Sequence, residues 1–449
     1  MKIQKFSRIG FIMAAAGSAV GLGNIWKFPY MTGEYGGGAF VLVYLITIVF
    51  IGFSVMVAEM LIGALGQKDT VGSFEKLAPP NRKGWKYAGF MGFNGLVIMT
   101  FYSVVIGWIF YYLVGFALHL PSSTQEAKGI FDSLIGNKVF IQIFWHTVAV
   151  LIVGYIVEKG IKSGIERINL ILMPSLMLIL FVLLFYAFSL EGFSKAFDFM
   201  FAPKWDKLNS EAIVRAVGHS FFTLSLGMGA IMTYAASLPK NASITKTAFI
   251  VTFMDTLIAL VAGLVIFSFL FQFGAEPSQG PGLVFISLPV ILSKFGELGT
   301  IFALLFFLAL AFAGITSAIS LVEPVVQYLI DRFNMTRKKA VFLSSFAYWF
   351  IGIGAILSYS KSWGEIFSVA GKPLFDIFEY TTDSILLPLG GLLIAVFVGY
   401  VLPQTKVKSV LEKEMGEKYF NIWFFSIRYI APVALVFMML NLMGIIEIG

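Results

Sequence analysis

The chain of 449 residues has no cysteine, only three histidines (His119, His146 and His219) and few charges, with Asp, Glu, Lys and Arg making up 13% of it. Without cysteine there is no disulfide framework, thiolate nucleophile or thiolate-held zinc, and the histidines stand too far apart for a metal motif. Haem and redox chemistry lose their usual ligands with them. So little charge excludes a soluble protein of two or three domains, in which about a quarter of the residues are charged. Low-complexity tracts and linkers longer than a loop are also missing, so nothing marks off a separate soluble domain.

What is there is apolar: 58% of the residues are hydrophobic and 16% aromatic. A bilayer-spanning helix takes about 20 apolar residues, so this composition supports roughly ten to twelve spans. The net charge of +7 then reflects loop lysines and arginines that orient the spans, and gives no reason to invoke nucleic acid. Apolar stretches bounded by charges or turn residues predict spans near 9–31, 39–66, 87–119, 139–157 and 163–190. After a loop with Pro203, Trp205 and Asp206, six more follow near 210–237, 242–273, 298–330, 338–358, 374–402 and 422–446. The expectation is a single transmembrane domain over 1–449 with eleven spans and no twelfth after Gly449.

With the amino terminus in the cytoplasm, inner loops hold roughly twice as many Lys and Arg as outer ones, which is the expected bias. The clearest contributors are Arg82, Lys83 and Lys86, and Arg332, Arg337, Lys338 and Lys339. The carboxyl terminus then lies outside a plasma (inner) membrane. Lys2, Lys5 and Arg8 ahead of the run ending Ala14-Ala15-Ala16-Gly17-Ser18-Ala19 look like a cleavable signal, but apolar character continues through Gly21, Leu22 and Trp26, which makes this the first span. The stretch 274–297, with Pro277, Pro281, Gly282 and Pro289, is too broken for a span and predicts an outer re-entrant cap.

A membrane helix hides its backbone polar groups by bonding them internally, so a glycine-rich interruption needs other partners. Two spans have one: Gly17-Ser18-Ala19-Val20-Gly21-Leu22-Gly23-Asn24 in the first, and Thr223-Leu224-Ser225-Leu226-Gly227-Met228-Gly229 in the sixth. Either alone reads as small residues that let helices pack closely. As a pair one five-span repeat apart, flanked by the side-chain oxygens of Asn24, Thr223 and Ser225, they point to two repeats of inverted topology, about 9–190 and 210–402, with an extra helix at about 422–446. Half-helix amino termini favour an anion, and freed carbonyls offer hard oxygen ligands to a small cation. A carboxylate substrate and Na⁺ suit this pattern together.

Arg8-Ile9-Gly10-Phe11 with Gly17 to Asn24, Gly36-Gly37-Gly38-Ala39-Phe40, Phe221 to Gly227, and Ala313-Gly314-Ile315-Thr316-Ser317 closely resemble the neurotransmitter:sodium symporter family. The resemblance covers nearly the whole chain. It implies an all-α, LeuT-type fold and Na⁺-coupled uptake of amino acids or amines by alternating access. It also implies a first sodium site from the carbonyl of Ala19, the side chains of Asn24, Thr223 and Asp255, and an oxygen of the substrate carboxylate. A second would use the carbonyls of Gly17, Val20 and Ala313 with the hydroxyls of Thr316 and Ser317. The implied substrate pocket is lined by Ala19, Gly21, Leu22, Gly23, Ile98, Tyr102, Phe222, Ser225, Met228, Ser317 and Leu321. Tyr102 would bond the substrate carboxylate, and Phe222 would form a lid.

Monoamine-carrying members of that family have aspartate where this chain has Gly21, so the resemblance implies an amino acid substrate. At Met228 the family prototype has phenylalanine, and a flexible thioether adapts to a larger ligand. The expected substrate is a hydrophobic, aromatic L-amino acid.

Ionisable groups at mid-bilayer cost about 2.5 to 3.5 kcal/mol on insertion scales and are functional candidates by default. Asp255 stands where the prototype has asparagine, and an ionised aspartate there would replace the charge that chloride supplies elsewhere in the family. The expectation is transport without chloride. Glu59 matches a glutamate that braces the unwound part of span 6, whereas Glu323, just before Pro324, has no such assignment. Lys27 and Glu379 correspond to an outer gate of arginine and aspartate in the family, and a lysine cannot form arginine's bidentate fork. Asp331 matches an inner-gate aspartate, yet its usual arginine partner and a nearby tryptophan are replaced by Lys2 and Lys5. Gly164 and Pro174 resemble a motif that lets the inner end of span 5 unwind.

The rival classes are weaker. A channel calls for repeated pore-lining charges or a carbonyl filter, and an intramembrane hydrolase for a nucleophile with its base or a metal motif. Ser225, Thr316 and Ser317 have no histidine placed beside them by any motif, so no enzyme is expected. A sensor that binds an amino acid without moving it remains the alternative. Expected partners are the amino acid, Na⁺ and the bilayer, with the protein a monomer or weak dimer.

Overall fold

The computed structural model describes residues 5–239, 241–276 and 282–446. Span 1 begins where the Ser7 side chain accepts the Gly10 N–H, and runs as helix Arg8–Ala19. It breaks at extended Val20 and resumes as Gly23–Glu34 after a bend of 46°. Spans 2 to 5 follow as Gly38–Gly66, Pro80–Phe116, Val139–Glu158 and Ile161–Ala187. Span 6 is divided into Ser210–Thr223 and Ala230–Ala235. Three residues in the connection have left-handed backbone, Ser225 (φ 53°), Gly227 (74°) and Gly229 (73°), which no α-helix can hold. Spans 7 to 11 are Ile244–Gln272, Glu297–Phe333, Arg337–Ser358, Leu374–Val401 and Gln404–Leu442.

Among the described residues nine helices are long and apolar enough to cross a membrane, and the bent pair of span 1 makes ten. The remaining segment of the eleven expected is span 6, whose pieces are each shorter than a bilayer requires. Two spans start earlier than the sequence predicts. Span 3 gains residues 80–86, the start of the stretch Pro80–Phe93, a tight 3₁₀ turn series interrupted at Arg82. Span 11 gains a charged segment that Gly416, at φ 79°, separates from the apolar part.

Burial separates an inner bundle from a lipid-facing ring. In span 3, 72% of the apolar window is buried, against 33% in span 4 and 39% in each of spans 5, 9 and 11. Span 1 packs among spans 5, 7 and 8, which brings its break to the middle of the bundle. Within 274–297, where a cap is expected, the described residues form the short apolar helix Leu283–Ser293, which contains Pro289. Pro277 and Pro281 lie outside the described residues. A further short helix, Thr124–Asn137, started by the Ser123 side chain, was not expected; its Phe131 stacks on Phe285 at 5.6 Å.

Candidate functional site

The two breaks meet. Ser225 Oγ donates to the Ser18 carbonyl at 2.6 Å, so an unwound residue of span 6 satisfies a carbonyl in the last turn of the Arg8–Ala19 half-helix, left without its helical partner by the break in span 1. Glu59 of span 2 accepts the N–H of Gly227 at 3.1 Å and of Met232 at 3.3 Å. Asn94 of span 3, which sequence reasoning missed, donates to the Gly227 carbonyl at 2.9 Å and the Leu386 carbonyl at 3.0 Å. These side chains replace the helical bonds that the break gives up, as burial in a bilayer demands. An asparagine starting an apolar helix was the available signal for Asn94.

Between the breaks lies a cavity of about 20 Å³, lined by Ala19, Gly21, Leu22, Gly23, Ile98, Tyr102, Phe222, Ser225, Met228, Ser317 and Leu321, with Ser18 and Thr223 added. Every residue expected in the substrate pocket is therefore on one wall or another. Tyr102 Oη accepts the Leu22 N–H at 3.3 Å, which leaves its own proton free to donate. A methyl group built on Gly21 would overlap Ser317 Oγ and come within 3.1 Å of Tyr102 Oη. Phe222, Leu22 and Tyr102 also line a second cavity of about 290 Å³, walled by Trp26, Phe101, Trp108, Phe131 and Phe375. Phe222 thus divides a small, mostly apolar space bordered by a few hydroxyls from a wide aromatic vestibule.

Two groups of oxygens flank the small cavity. In the first, Asp255 Oδ1 accepts from Asn24 Nδ2 at 2.7 Å and Thr223 Oγ1 at 3.0 Å, while Asp255 Oδ2 is buried without a partner. Asn24 Oδ1 accepts the Gly21 N–H at 2.9 Å. In the second, Ser317 Oγ lies 3.3 Å from each of the Gly17 and Val20 carbonyls, and Thr316 Oγ1 lies 3.1 Å from the Ala313 carbonyl. All these candidate ligands are hard oxygens. One carboxylate in the first group and none in the second carry too little charge for a divalent ion and suit a monovalent one.

At one end of the bundle, Lys27 pairs with Asp383 and lies 3.7 Å from Glu379, with its ammonium 4.5 Å above the Phe222 ring. The expected partner Glu379 is thus the farther carboxylate. Asp383 stands one helical turn along the same face of span 10, and the i, i+4 spacing of the two acids was the signal that sequence reasoning passed over.

At the other end Asp331 accepts the Asp69 N–H at 3.0 Å and Gln327 Nε2 at 2.9 Å. Among the described residues it has no ion pair; Lys5 makes none, and Lys2 lies outside the described residues. Its neighbour Arg332 reaches Glu75 at 2.7 Å and Asp69 at 3.9 Å. The Arg332 bond lowers the Glu75 carboxyl below its ordinary range, whereas burial raises that of Asp69. Phe6, next to Lys5, is buried edge-on against Tyr234 at 5.5 Å. Glu166 accepts the Ser7 N–H at 3.2 Å and clasps the start of span 1 to span 5. Glu323 pairs with Arg337 Nη1 at 3.0 Å, which gives that buried acid a fixed partner. Gly164 sits in the wide turn Ile161–Glu166, and Pro174 lies inside the helix that continues it.

Comparison with known proteins agrees with this geometry. The model of the sodium:neurotransmitter symporter family matches residues 4–138 and 128–447. An uncharacterized sodium-dependent transporter of Bacillus subtilis is 36% identical over 455 residues, covering 99% of this chain and 98% of that one. Sodium-dependent nutrient amino acid transporter 1 of Drosophila grimshawi is 29% identical over 405 residues, covering 76% of this chain and 63% of that one. The crystal structure of MhsT in complex with L-phenylalanine superposes with a TM-score of 0.89 at 40% identity, covering 98% of this chain and all of the other.

Proposed function

Because the chain belongs to the sodium:neurotransmitter symporter family, whose fold and relatives are those of secondary transporters and not of enzymes, we propose that it is a Na⁺-driven symporter importing hydrophobic, aromatic L-amino acids. The observation that carries this reading is the small cavity where both helix breaks meet, with an oxygen cluster on either side. The backbone N–H groups and Tyr102 at the break receive the substrate carboxylate; Met228 and Ile98 receive its side chain. The carboxylate completes the cluster of Ala19, Asn24, Thr223 and Asp255 around one Na⁺, and Gly17, Val20, Ala313, Thr316 and Ser317 hold another. Substrate and ion thereby stabilise one another directly, which is the coupling a symporter needs.

In this reading the Lys27 end faces outside and the Asp331 end faces the cytoplasm, with the amino terminus inside, the carboxyl terminus outside and the protein in the plasma membrane as a monomer or weak dimer. The arrangement corresponds to two inverted repeats, about 9–190 and 210–402, with an extra helix at about 422–446. Na⁺ favours the open vestibule, substrate closes Phe222 and the Lys27 ion pairs above it, and loss of the second Na⁺ opens the Asp331 end. Asp255 supplies the fixed negative charge beside the first ion, so transport needs no chloride. MhsT, similar over almost the whole chain, is described with L-phenylalanine bound, which supports the aromatic preference.

The test is uptake of labelled phenylalanine into proteoliposomes under an inward Na⁺ gradient, competed by each of the twenty amino acids, with and without chloride. Uptake that is saturable, Na⁺-dependent and best competed by phenylalanine, tyrosine or tryptophan supports the proposal. Saturable binding with no accumulation would favour a sensor, and flux without saturation a channel.

A further inference from the structure

Between spans 3 and 4, on the lipid-facing ring, runs a groove of about 530 Å³ whose lining includes Tyr111, Gly115, Leu118, Phe140, Phe144 and Trp145 and carries no charge. Leu118 and Phe140 are almost fully exposed, so the groove opens to the hydrocarbon. Its shape is fixed from behind. Trp108 Nε1 of span 3 donates to Gln142 Oε1 of span 4 at 2.9 Å, and a methyl group built on Gly107 would come within 2.8 Å of the His146 backbone nitrogen. Gly115, by contrast, has open space beside it: a methyl group there would meet nothing within 4 Å. Glycine weakens a helix relative to alanine, and here no protein neighbour requires it. An empty hollow forfeits the contacts its walls could make, so a space of this kind in a bilayer is filled by a chain.

The groove has a cation at its rim. Lys138, the junction between Thr124–Asn137 and span 4, donates from Nζ to Tyr111 Oη at 3.0 Å and lies 5.4 Å from the centre of that ring. The Lys361 N–H donates to the Gly136 carbonyl at 3.0 Å, and its side chain lies across Gly136, two residues before Lys138. Among the described residues neither lysine has an ion pair. We propose that the groove binds one anionic phospholipid, with an acyl chain over Gly115 and the phosphate on the Lys138 ammonium and the Tyr111 hydroxyl. The ammonium keeps further N–H donors, and the Tyr111 oxygen accepts from Lys138 and so keeps its own proton for a phosphate oxygen. Lysine binds phosphate as a point charge, and at the end of a span its stem reaches headgroup depth. Tyrosine favours that same depth. Lys361 adds a second positive charge, whereas a choline headgroup would bring a cation of its own against both. Trp108 and Ile135, tied together through Gln142, also wall the aromatic vestibule, so the bound lipid braces one side of it.

The test is native mass spectrometry of the purified full chain in mild detergent, titrated with phosphatidylglycerol or with phosphatidylcholine of the same acyl chains. The variants are Gly115→Trp, which fills the groove, and Lys138→Gln, which removes the cation and leaves the groove. Leu178→Trp, on the exposed face of span 5, places the same ring elsewhere in the lipid. Melting in detergent shows whether each variant is folded, and if Gly115→Trp is not, Lys138→Gln decides alone. The native chain is expected to hold one phosphatidylglycerol at concentrations about fivefold below those needed for phosphatidylcholine, the scale of one lysine at a membrane surface. Lys138→Gln should abolish that preference. Gly115→Trp should raise the half-saturating concentration of both lipids by about tenfold or more, the scale of displacing a few methylenes, and Leu178→Trp should match the native chain. A preference that survives Lys138→Gln, or retention untouched by Gly115→Trp, would overturn the proposal. Loss of a dimer in Gly115→Trp with lipid retention unchanged would overturn it in favour of a second copy of the chain on this face.

Discussion

The hydroxyl of Ser225 reaches the carbonyl of Ser18 across 2.6 Å, and by that bond the broken part of span 6 is fastened to the end of the half-helix that precedes the break in span 1. Ser225 is also one of four described non-glycine residues with positive φ. Ser225→Gly keeps the backbone free to adopt that conformation but drops the bond, while Ser225→Ala drops the bond and keeps the strain, about 1 to 2 kcal/mol. The alanine variant is expected to melt several degrees below the glycine variant in detergent, and both to bind substrate more weakly than native. Equal melting of the two would show that the backbone at Ser225 is not strained.

Gly21 lies against Ser317 Oγ and Tyr102 Oη, so no side chain fits there without displacing one of them. An aspartate at this point would also oppose the substrate carboxylate without a partner for its charge. Gly21→Asp should weaken amino acid binding by roughly two orders of magnitude, the scale of an unpaired buried charge. Scintillation binding of labelled phenylalanine checks this, and a change under threefold would argue against a carboxylate docked at the break.

Asp255 gathers Asn24 and Thr223 on one oxygen and leaves the other unpartnered. Asp255→Asn removes the fixed charge while keeping the shape. The half-saturating Na⁺ for uptake should rise by about tenfold or more, and the residual uptake should become stimulated by chloride, whereas native uptake is expected to be the same in chloride and gluconate. Native uptake that collapses without chloride would end the idea that Asp255 takes its place.

Lys27 has two carboxylates, Asp383 nearer and Glu379 at 3.7 Å, with side-chain exposures of 23% and 42% respectively. The more buried and closer partner is the more expensive to lose. Asp383→Asn is expected to slow uptake about tenfold or more, and Glu379→Gln by about threefold or less, since exposed pairs contribute up to about 1 kcal/mol. The reverse order would restore Glu379 as the principal partner.

Much of this fold is legible in the sequence because a bilayer leaves a chain few choices. Apolar runs set spans such as Val139–Glu158 and Arg337–Ser358 almost to the residue, and unsatisfied backbone is so costly in lipid that glycine clusters at 17–24 and 223–229 had to mark breaks. The charged segment before Gly416 and residues 80–86, the first half of the stretch Pro80–Phe93, were missed as helices because they carry no long apolar run. The meeting of Asn94 with Gly227 and of Asn169 with Gly17 could not be read at all, since each depends on which faces of distant helices touch. The choice between Asp383 and Glu379 turned on one helical turn, a distance that sequence position alone does not resolve.

The central claim is that the two breaks together form one site for an amino acid and Na⁺. Equilibrium binding of labelled phenylalanine to the purified chain, titrated with Na⁺ at constant ionic strength against choline, addresses it most directly. The account predicts no measurable binding in choline, binding that appears cooperatively with Na⁺, and loss of that Na⁺ response in both Asp255→Asn and Thr316→Ala. Equal binding in choline and Na⁺, or a Na⁺ response untouched by either substitution, would contradict it.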